Sequence, residues 1–376
     1  MNGTSKRMKV LVTGANGFVG KNLIAKLETM DTYEVLAYDI DKTEEDLASF
    51  TKECDFVVHL AGVNRPVNVS EFYEGNTNFT EKLCIYLSKW KNKAPIFVSS
   101  SIQAELDNDY GKSKRNGEKF VEAYSKKEHV PVYIYRFSNL FGKWCRPNYN
   151  SVIATWCHNI ARDMDIKIND ASVKLHLCYI DDVVSEIICA MEGRPHMTDG
   201  HYAVSPEYEI SLGDLARTIQ SFSKSRETQM VPDISTELKK KLYSTYLSYL
   251  PVDHFSYALK MHNDERGSFT EFLKTVGNGQ VSVNVSKPGI IKGNHWHHTK
   301  NEKFLVVSGE GVIRFRNIYD TKIYEYKVTG DLLEVVDIPP GYTHNIENVG
   351  TGDLVTIMWA NEIFDPENPD TYYLEV

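Results

Sequence analysis

Four residues in the last third of the chain have the types and spacing of a metal site: His295, His297, Glu302 and His344. His295 and His297 are two positions apart, which puts both imidazoles on one face of an extended strand. Glu302 follows after a turn-like stretch, so the next strand can set its carboxylate beside them. The segment Pro339-Pro340-Gly341-Tyr342-Thr343-His344 supplies a third imidazole from further along. Three imidazoles and a carboxylate suit a divalent transition ion such as Zn2+, with one position left for an exchangeable ligand. Histidines that merely fill a polar strand face would not bring the second half of the pattern into register with the first.

A second reactive group stands earlier in the chain. Tyr110 and Lys114 are four positions apart and share one face of a helix. A neighbouring ammonium favours the phenolate. The tyrosine can then exchange a proton with an oxygen undergoing hydride chemistry. A serine at the end of the adjacent strand can hold that oxygen; Ser101 is the first choice and Ser100 the alternative.

The elements that must position these groups fall into two halves. Met8–Thr13 is a short apolar run followed at once by Gly14-Ala15-Asn16-Gly17-Phe18-Val19-Gly20 and a helical pattern through Leu23, Ile24 and Leu27. A strand, a glycine turn and a helix start together make a cradle for a pyrophosphate. Asp39 ends a second apolar run nineteen positions after Gly20, where a carboxylate binds the 2′-hydroxyl of NADH and repels the 2′-phosphate of NADPH; Lys42 close by softens that preference. Further apolar runs at residues 56–61, 96–100 and 132–136 alternate with helical segments, which predicts a parallel, doubly wound α/β sheet. Residues 210–250 read as helical, with Leu212, Leu215, Leu238, Leu242 and Leu247 at helical spacing, until Pro251 ends the pattern and a β-rich stretch begins. The predicted domains are therefore residues 8–247 and 248–376. Asp181 and Asp182 read as capping residues at a helix start.

Composition limits the class. A chain of 376 residues suits two domains, and 42% hydrophobic with 25% charged residues is an ordinary globular balance. A net charge of −9 without a basic block argues against a nucleic-acid groove. No apolar run approaches a membrane span, and Met1–Arg7 lacks the apolar core of a secretory leader. The six cysteines, Cys54, Cys84, Cys145, Cys157, Cys178 and Cys189, form no C-x-x-C pair and read as reduced thiols of a cytoplasmic protein.

The C-terminal pattern resembles the paired motifs of the metal cupins. Gly289, His295, His297, Glu302 and Gly309 match the first motif fully; Pro339, Gly341, His344 and Asn348 match the second, with Leu333 where its leading glycine would stand. The N-terminal half resembles the extended short-chain dehydrogenase/reductases through its glycine turn, His59-Leu60-Ala61-Gly62, Asn76, Ser99-Ser100-Ser101, Tyr110-x3-Lys114 and Arg136-Phe137-Ser138-Asn139-Leu140-Phe141-Gly142. The interval between Ser101 and Tyr110 is shorter than those reductases usually carry. That resemblance implies a nicotinamide cofactor held by Gly14, Gly17, Phe18, Gly20, Asp39, Leu60, Ala61, Gly62 and Lys114. It also implies a sugar-nucleotide site along residues 143–178, with Asn139 and Arg146 among its contacts. Asp264-x-Arg266-Gly267-x-Phe269-x-Glu271 resembles the substrate-holding segment of the nucleoside-diphosphate-sugar 3,5-epimerases, which implies roles for Arg266 and Glu271.

The two halves together resemble the bifunctional capsular polysaccharide biosynthesis enzymes of the CapF type. The resemblance implies a cytoplasmic homodimer whose cupin epimerises C3 of a UDP-2-acetamido-2,6-dideoxy-4-hexulose and whose reductase domain then reduces C4 with NADPH, giving a UDP-N-acetyl-6-deoxy-L-talosamine, the precursor of UDP-N-acetyl-L-fucosamine. The order follows from chemistry, because the C3 proton is acidic only while C4 is a ketone. Two other readings stand beside it: a 4,6-dehydratase or 4-epimerase that retains NAD and carries an accessory cupin, and a cupin that only fixes the dimer. Tyr342, His298 and Lys300 are the candidates for proton transfer in the cupin, by nearness to its motifs.

Overall fold

The computed structural model describes residues 6–376. The rest of the N-terminal stretch read above as lacking a leader lies outside the described residues. The chain divides into two compact units. The first runs through Gln220 and resumes over Ile234–Pro251; the second comprises Ser221–Asp233 and Val252–Val376.

In the first unit, strands β1 (Met8–Thr13), β2 (Tyr33–Tyr38), β3 (Phe56–His59), β4 (Ile96–Ser101) and β5 (Val132–Phe137) lie in the order β2-β1-β3-β4-β5, all parallel. Two short strands, His201–Tyr202 and Met197–Thr198, extend the β5 edge. Val10, Leu11 and Val12 are fully buried in succession, as expected of a strand covered on both faces. Val10, Val12 and Val58 pack on one side with Val183 and Ile187 of the helix Ile180–Met191. Leu11, Val57 and Ile96 pack on the other with Leu47, Leu83 and Val121. Because β1 has β2 on one side and β3 on the other, the chain leaves its carboxyl end at the point where a ligand crevice opens in such sheets. This is the doubly wound α/β sheet the sequence predicts.

From Met261 onward the second unit is built of β-strands. Six antiparallel strands run in the order Met261–Asp264, Gly267–Thr275, Gly279–Ser286, Leu354–Ala360, Glu302–Ser308, Val335–Ile338. Five more run Ile323–Thr329, Glu310–Asn317, Tyr342–Asn348, Ile291–Trp296, Tyr372–Tyr373. Phe304, Val306 and Leu354 of the first sheet and Ile313, Phe315 and Ile346 of the second share one core. Leu333 adopts no left-handed backbone and is exposed, so this turn does not need the glycine of the motif.

Two local expectations need correction. Residues 210–250 are not one helical stretch but two helices, Leu212–Thr228 and Glu237–Leu247. Pro232 cannot supply a helical N–H, and the chain there pairs with Lys274 through Val231 N (2.7 Å), which ties residues 221–233 to the second unit. Thr236 caps the second helix by accepting from Lys239 N. Asp181 and Asp182 do not cap: the N-cap is Tyr179, without a side-chain bond. The two carboxylates lie in the first turn, where the helix dipole favours them, and pair with Lys143 (2.6 Å) and Lys241 (2.7 Å) respectively. Among the described residues no helix is long and apolar enough to cross a membrane.

Candidate active sites

At the carboxyl end of β1, Gly14 adopts φ +70°, and a Cβ there would stand 2.7 Å from Ala61 N. A Cβ on Gly20 would stand 2.3 Å from Gly14 O. Only glycine fits either place. Gly17 is the N-cap of the helix Phe18–Leu27 and contributes no side-chain bond, so the first-turn N–H groups remain free for a diphosphate. Asp39 accepts from Asn16 N (2.7 Å) and Ile40 N (2.7 Å), so it braces the glycine turn. A cavity of about 1060 Å³ opens over this turn and is lined by Gly14, Gly17, Phe18, Gly20, Leu60 and Gly62, and also by Ser101, Tyr110, Lys114, Asn139 and Arg146. Asp39 and Ala61 are not on its wall: Asp39 is bonded to the backbone of the turn, and the Ala61 backbone packs against Gly14.

Tyr110 and Lys114 lie in the first turns of the helix Asp109–Glu128, which Asn108 caps by accepting from Gly111 N. Burial pushes the Tyr110 phenol up, opposed by a hydrogen bond with Ser101. Lys114, expected to lower it, has no part in that balance; its Nζ donates to the Ser99 carbonyl at 3.1 Å. Burial brings Lys114 itself down to about 8, with Glu118 pulling the other way. Ser99, Ser100 and Ser101 all line the cavity, but successive side chains along β4 point to opposite faces. Ser100 is buried and donates to Glu118, which also binds Arg136, whereas Ser101 faces Tyr110. Asn76 uses its amide on Val63 and Ser113 Oγ. The sequence reading missed Arg65. Its guanidinium lies 5.8 Å from the Tyr149 ring, which Arg146 also approaches at 5.3 Å, and all three line the cavity. Its only signal was a cation soon after Gly62. Asn139 donates to the His176 carbonyl at 3.1 Å.

In the second unit His295 and His344 are cross-strand partners, and the ligand atoms of His295, His297, Glu302 and His344 all lie within 4.8 Å of one another. The strand carrying His295 ends at Trp296, so His297 sits one residue beyond it, after a bulge between Gly293 and His295. His297 and His344 are each 1% exposed. His297 Nε2, Glu302 Oε2 and both ring nitrogens of His344 are buried without hydrogen-bond partners, although Glu302 Oε2 stands 3.4 Å from each of the two imidazoles. Buried polar atoms are seldom left so, and a divalent cation would take His297 Nε2, Glu302 Oε2 and His344 Nε2 together, one nitrogen from each imidazole. His297 donates Nδ1–H to the Asp370 carbonyl, which leaves the Nε2 lone pair facing the cluster. Burial lowers His295 to about 4, so its imidazole is neutral and ligand-competent at ordinary pH. Burial opposes ionisation of Glu302, but the two imidazoles beside it, His297 and His344, hold the carboxyl well below the usual range.

Asp370 was not foreseen. Its carboxylate accepts from the backbone of His298, Thr299 and Lys300 at 2.8–2.9 Å and fixes the turn between His297 and Glu302. Arg266 lines a smaller cavity, of about 290 Å³, together with His295 and His344, and is paired with Asp264 at 2.6 Å. Glu271 is not on that wall; it pairs with Lys274 at 2.8 Å.

Comparison with known proteins matches this architecture. Residues 10–204 fit the NAD dependent epimerase/dehydratase family, and residues 262–372 fit the Polysaccharide biosynthesis C-terminal domain. A protein of Pseudomonas aeruginosa named UDP-2-acetamido-2,6-beta-L-arabino-hexul-4-ose reductase is 47% identical over 98% of this chain and 99% of its own. The crystal structure of the capsular polysaccharide assembling protein CapF from Staphylococcus aureus is 54% identical, with a TM-score of 0.94 over 98% of this chain and 100% of that one. A UDP-glucuronic acid 4-epimerase of Bacillus cereus, 18% identical with a TM-score of 0.54 over 64% of this chain and 96% of that one, shares the fold of the first unit alone. The chain therefore belongs to the NAD dependent epimerase/dehydratase family, in the arrangement, shared with CapF, that joins it to a polysaccharide biosynthesis C-terminal domain.

Proposed function

We propose that this protein acts twice on one UDP-activated amino sugar for capsular polysaccharide. The second unit, a cupin, inverts C3 of a UDP-2-acetamido-2,6-dideoxy-4-hexulose. The first reduces the C4 ketone with NADPH to UDP-N-acetyl-6-deoxy-L-talosamine, on the way to UDP-N-acetyl-L-fucosamine. The carrying observation is that one chain holds both a Ser101–Tyr110–Lys114 cluster over a glycine-turn cavity and a three-imidazole, one-carboxylate cluster in which His297 Nε2, Glu302 Oε2 and His344 Nε2 are buried without partners. The full-length relative named a hexulose 4-reductase supports the substrate, and it speaks against the dehydratase or 4-epimerase with an accessory cupin. In this proposal the functional division is that of the domains expected from the sequence, residues 8–247 and 248–376, although residues 221–233 pack with the second unit.

In the first unit Gly14, Gly17, Phe18, Gly20, Leu60, Ala61 and Gly62 cradle the cofactor, and Asp39 braces the turn. Reduced nicotinamide supplies the hydride. Tyr110, like any phenol, is protonated at neutral pH, burial raising its pKa further, and gives its proton to the C4 oxygen. Ser101 orients that oxygen, and Lys114 contributes positive charge below about pH 8. Arg146, with Asn139, receives the sugar nucleotide. In the second unit His295, His297, Glu302 and His344 hold a divalent ion, Zn2+ in this reading, which supplies Lewis-acid polarisation of the ketone. Arg266 holds the substrate at the cavity wall. Glu271 has no direct support, since it is paired with Lys274 away from that wall. The edge strand Ile323–Thr329 leaves Ile323, Tyr324 and Tyr326 exposed, an apolar surface suited to a second copy in a homodimer.

The test is incubation of the protein with a UDP-4-keto-6-deoxy-N-acetylhexosamine in D2O. Deuterium entering C3 without NADPH, and a 4-hydroxy product only with it, is the expected result. Cofactor-free conversion without exchange at C3 would refute the reading.

A further inference from the structure

Given the epimerase reading above, some group of the second unit must take the C3 proton. Besides the ligands His295 and His344, four ionisable side chains line the smaller cavity: His262, Asp264, Arg266 and Lys292. Asp264 is committed to Arg266 through three hydrogen bonds of 2.6–3.0 Å, and a guanidinium does not release a proton. His262 lies in the exposed strand Met261–Asp264. Lys292 differs from all of these. It is half-buried, and its Nζ donates to Asn284 Oδ1 at 2.8 Å and to the Val285 carbonyl at 2.9 Å. Asn284 is 4% exposed and is itself fixed on Ser286 Oγ at 3.1 Å.

Two fixed acceptors suit both protonation states of this amine. A neutral amine gives both N–H groups to them and keeps a lone pair; the ammonium has one N–H left over. We propose that Lys292 is the catalytic base of the cupin and takes the proton from C3. In the forward step the C3–H bond breaks, its electron pair moves into the enolate, and Lys292 becomes an ammonium. Water protonates the opposite face of C3, and Lys292 returns its proton to solvent. Burial favours the neutral amine, with Arg266 acting in the same direction and Asp264 against it.

The three residues favoured by sequence proximity do not line this cavity. Lys300 Nζ is bound to Thr371 Oγ1 at 2.9 Å, His298 packs against Trp296 and Tyr372, and Tyr342 packs on the apolar core.

The experiment follows deuterium uptake at C3 by NMR, at saturating substrate and without NADPH. Lys292→Met and Lys292→Arg are each expected to slow uptake at least about 100-fold, with unchanged zinc content and melting temperature. For Lys292→Ala, added ethylamine should restore uptake in proportion to its concentration. Retained uptake in Lys292→Arg, which keeps charge and bulk, would show that charge alone is needed and overturn the assignment. A raised KM with normal maximal rate in Lys292→Met would do the same. No uptake by the unaltered protein would instead overturn the epimerase reading, and this assignment with it.

Discussion

Replacing Tyr110 by Phe removes one oxygen and leaves the ring in place. The ring keeps its contact with Phe72, at 5.6 Å between centroids, and loses only the hydrogen bond with Ser101. One neutral hydrogen bond is worth about 1 kcal/mol, so the melting temperature should fall by only about 2–4 °C for a unit of this size. The effect on reduction should be far larger. Without a proton donor beside the C4 oxygen, the general-acid contribution of about 10²–10⁴ disappears, which adds about 3–5 kcal/mol to the barrier. Two readouts on one sample separate the sites: disappearance of reduced nicotinamide by absorbance, and deuterium entering C3 by NMR. The expected variant oxidises NADPH at least about 100-fold more slowly and exchanges C3 at the unaltered rate. NADPH oxidation within about tenfold of the unaltered protein would show that Tyr110 is not the acid. Parallel loss of C3 exchange would refute the division of labour between the units.

Three further outcomes follow from the same geometry. His344→Ala removes a fully buried ligand, so bound zinc and C3 exchange should both be lost while NADPH affinity is unchanged; full zinc retention by elemental analysis would remove His344 from the site. Asp39→Asn removes the charge that disfavours a 2′-phosphate, so the ratio of kcat/KM for NADPH over NADH should rise about tenfold; an unchanged ratio would leave Asp39 as a brace of the glycine turn only. His59 is buried between Thr13 Oγ1 (2.7 Å) and Thr80 Oγ1 (2.8 Å), and burial lowers it from 6.5 to about 3. On acidification the unfolded chain therefore takes up its proton first, so this contribution to stability is complete above pH 6.5 and drains away towards pH 3. About 2 kcal/mol should be gone by pH 5, and His59→Asn should flatten that slope in urea unfolding.

The chemistry in short motifs was legible because backbone geometry alone sets it. The two-residue spacing brings His295 and His297 to one cluster even though the strand ends at Trp296 between them, one helical turn separates Tyr110 from Lys114, and the glycines mark where no Cβ has room. The fold class was legible for the same reason, since buried runs alternating with helices already imply a parallel sheet. What spans many residues was not. Ser100 and Ser101 are indistinguishable until Glu118 and Arg136 close over one of them. Asp370 braces the turn after His297 from about seventy positions away, and Arg65 reaches Tyr149 from a different loop. Glu271 matches a motif yet turns to Lys274, while Lys292, not the residues nearest the histidines, reaches the cavity wall. Such partnerships depend on which strands and loops become neighbours on folding, which no local spacing records.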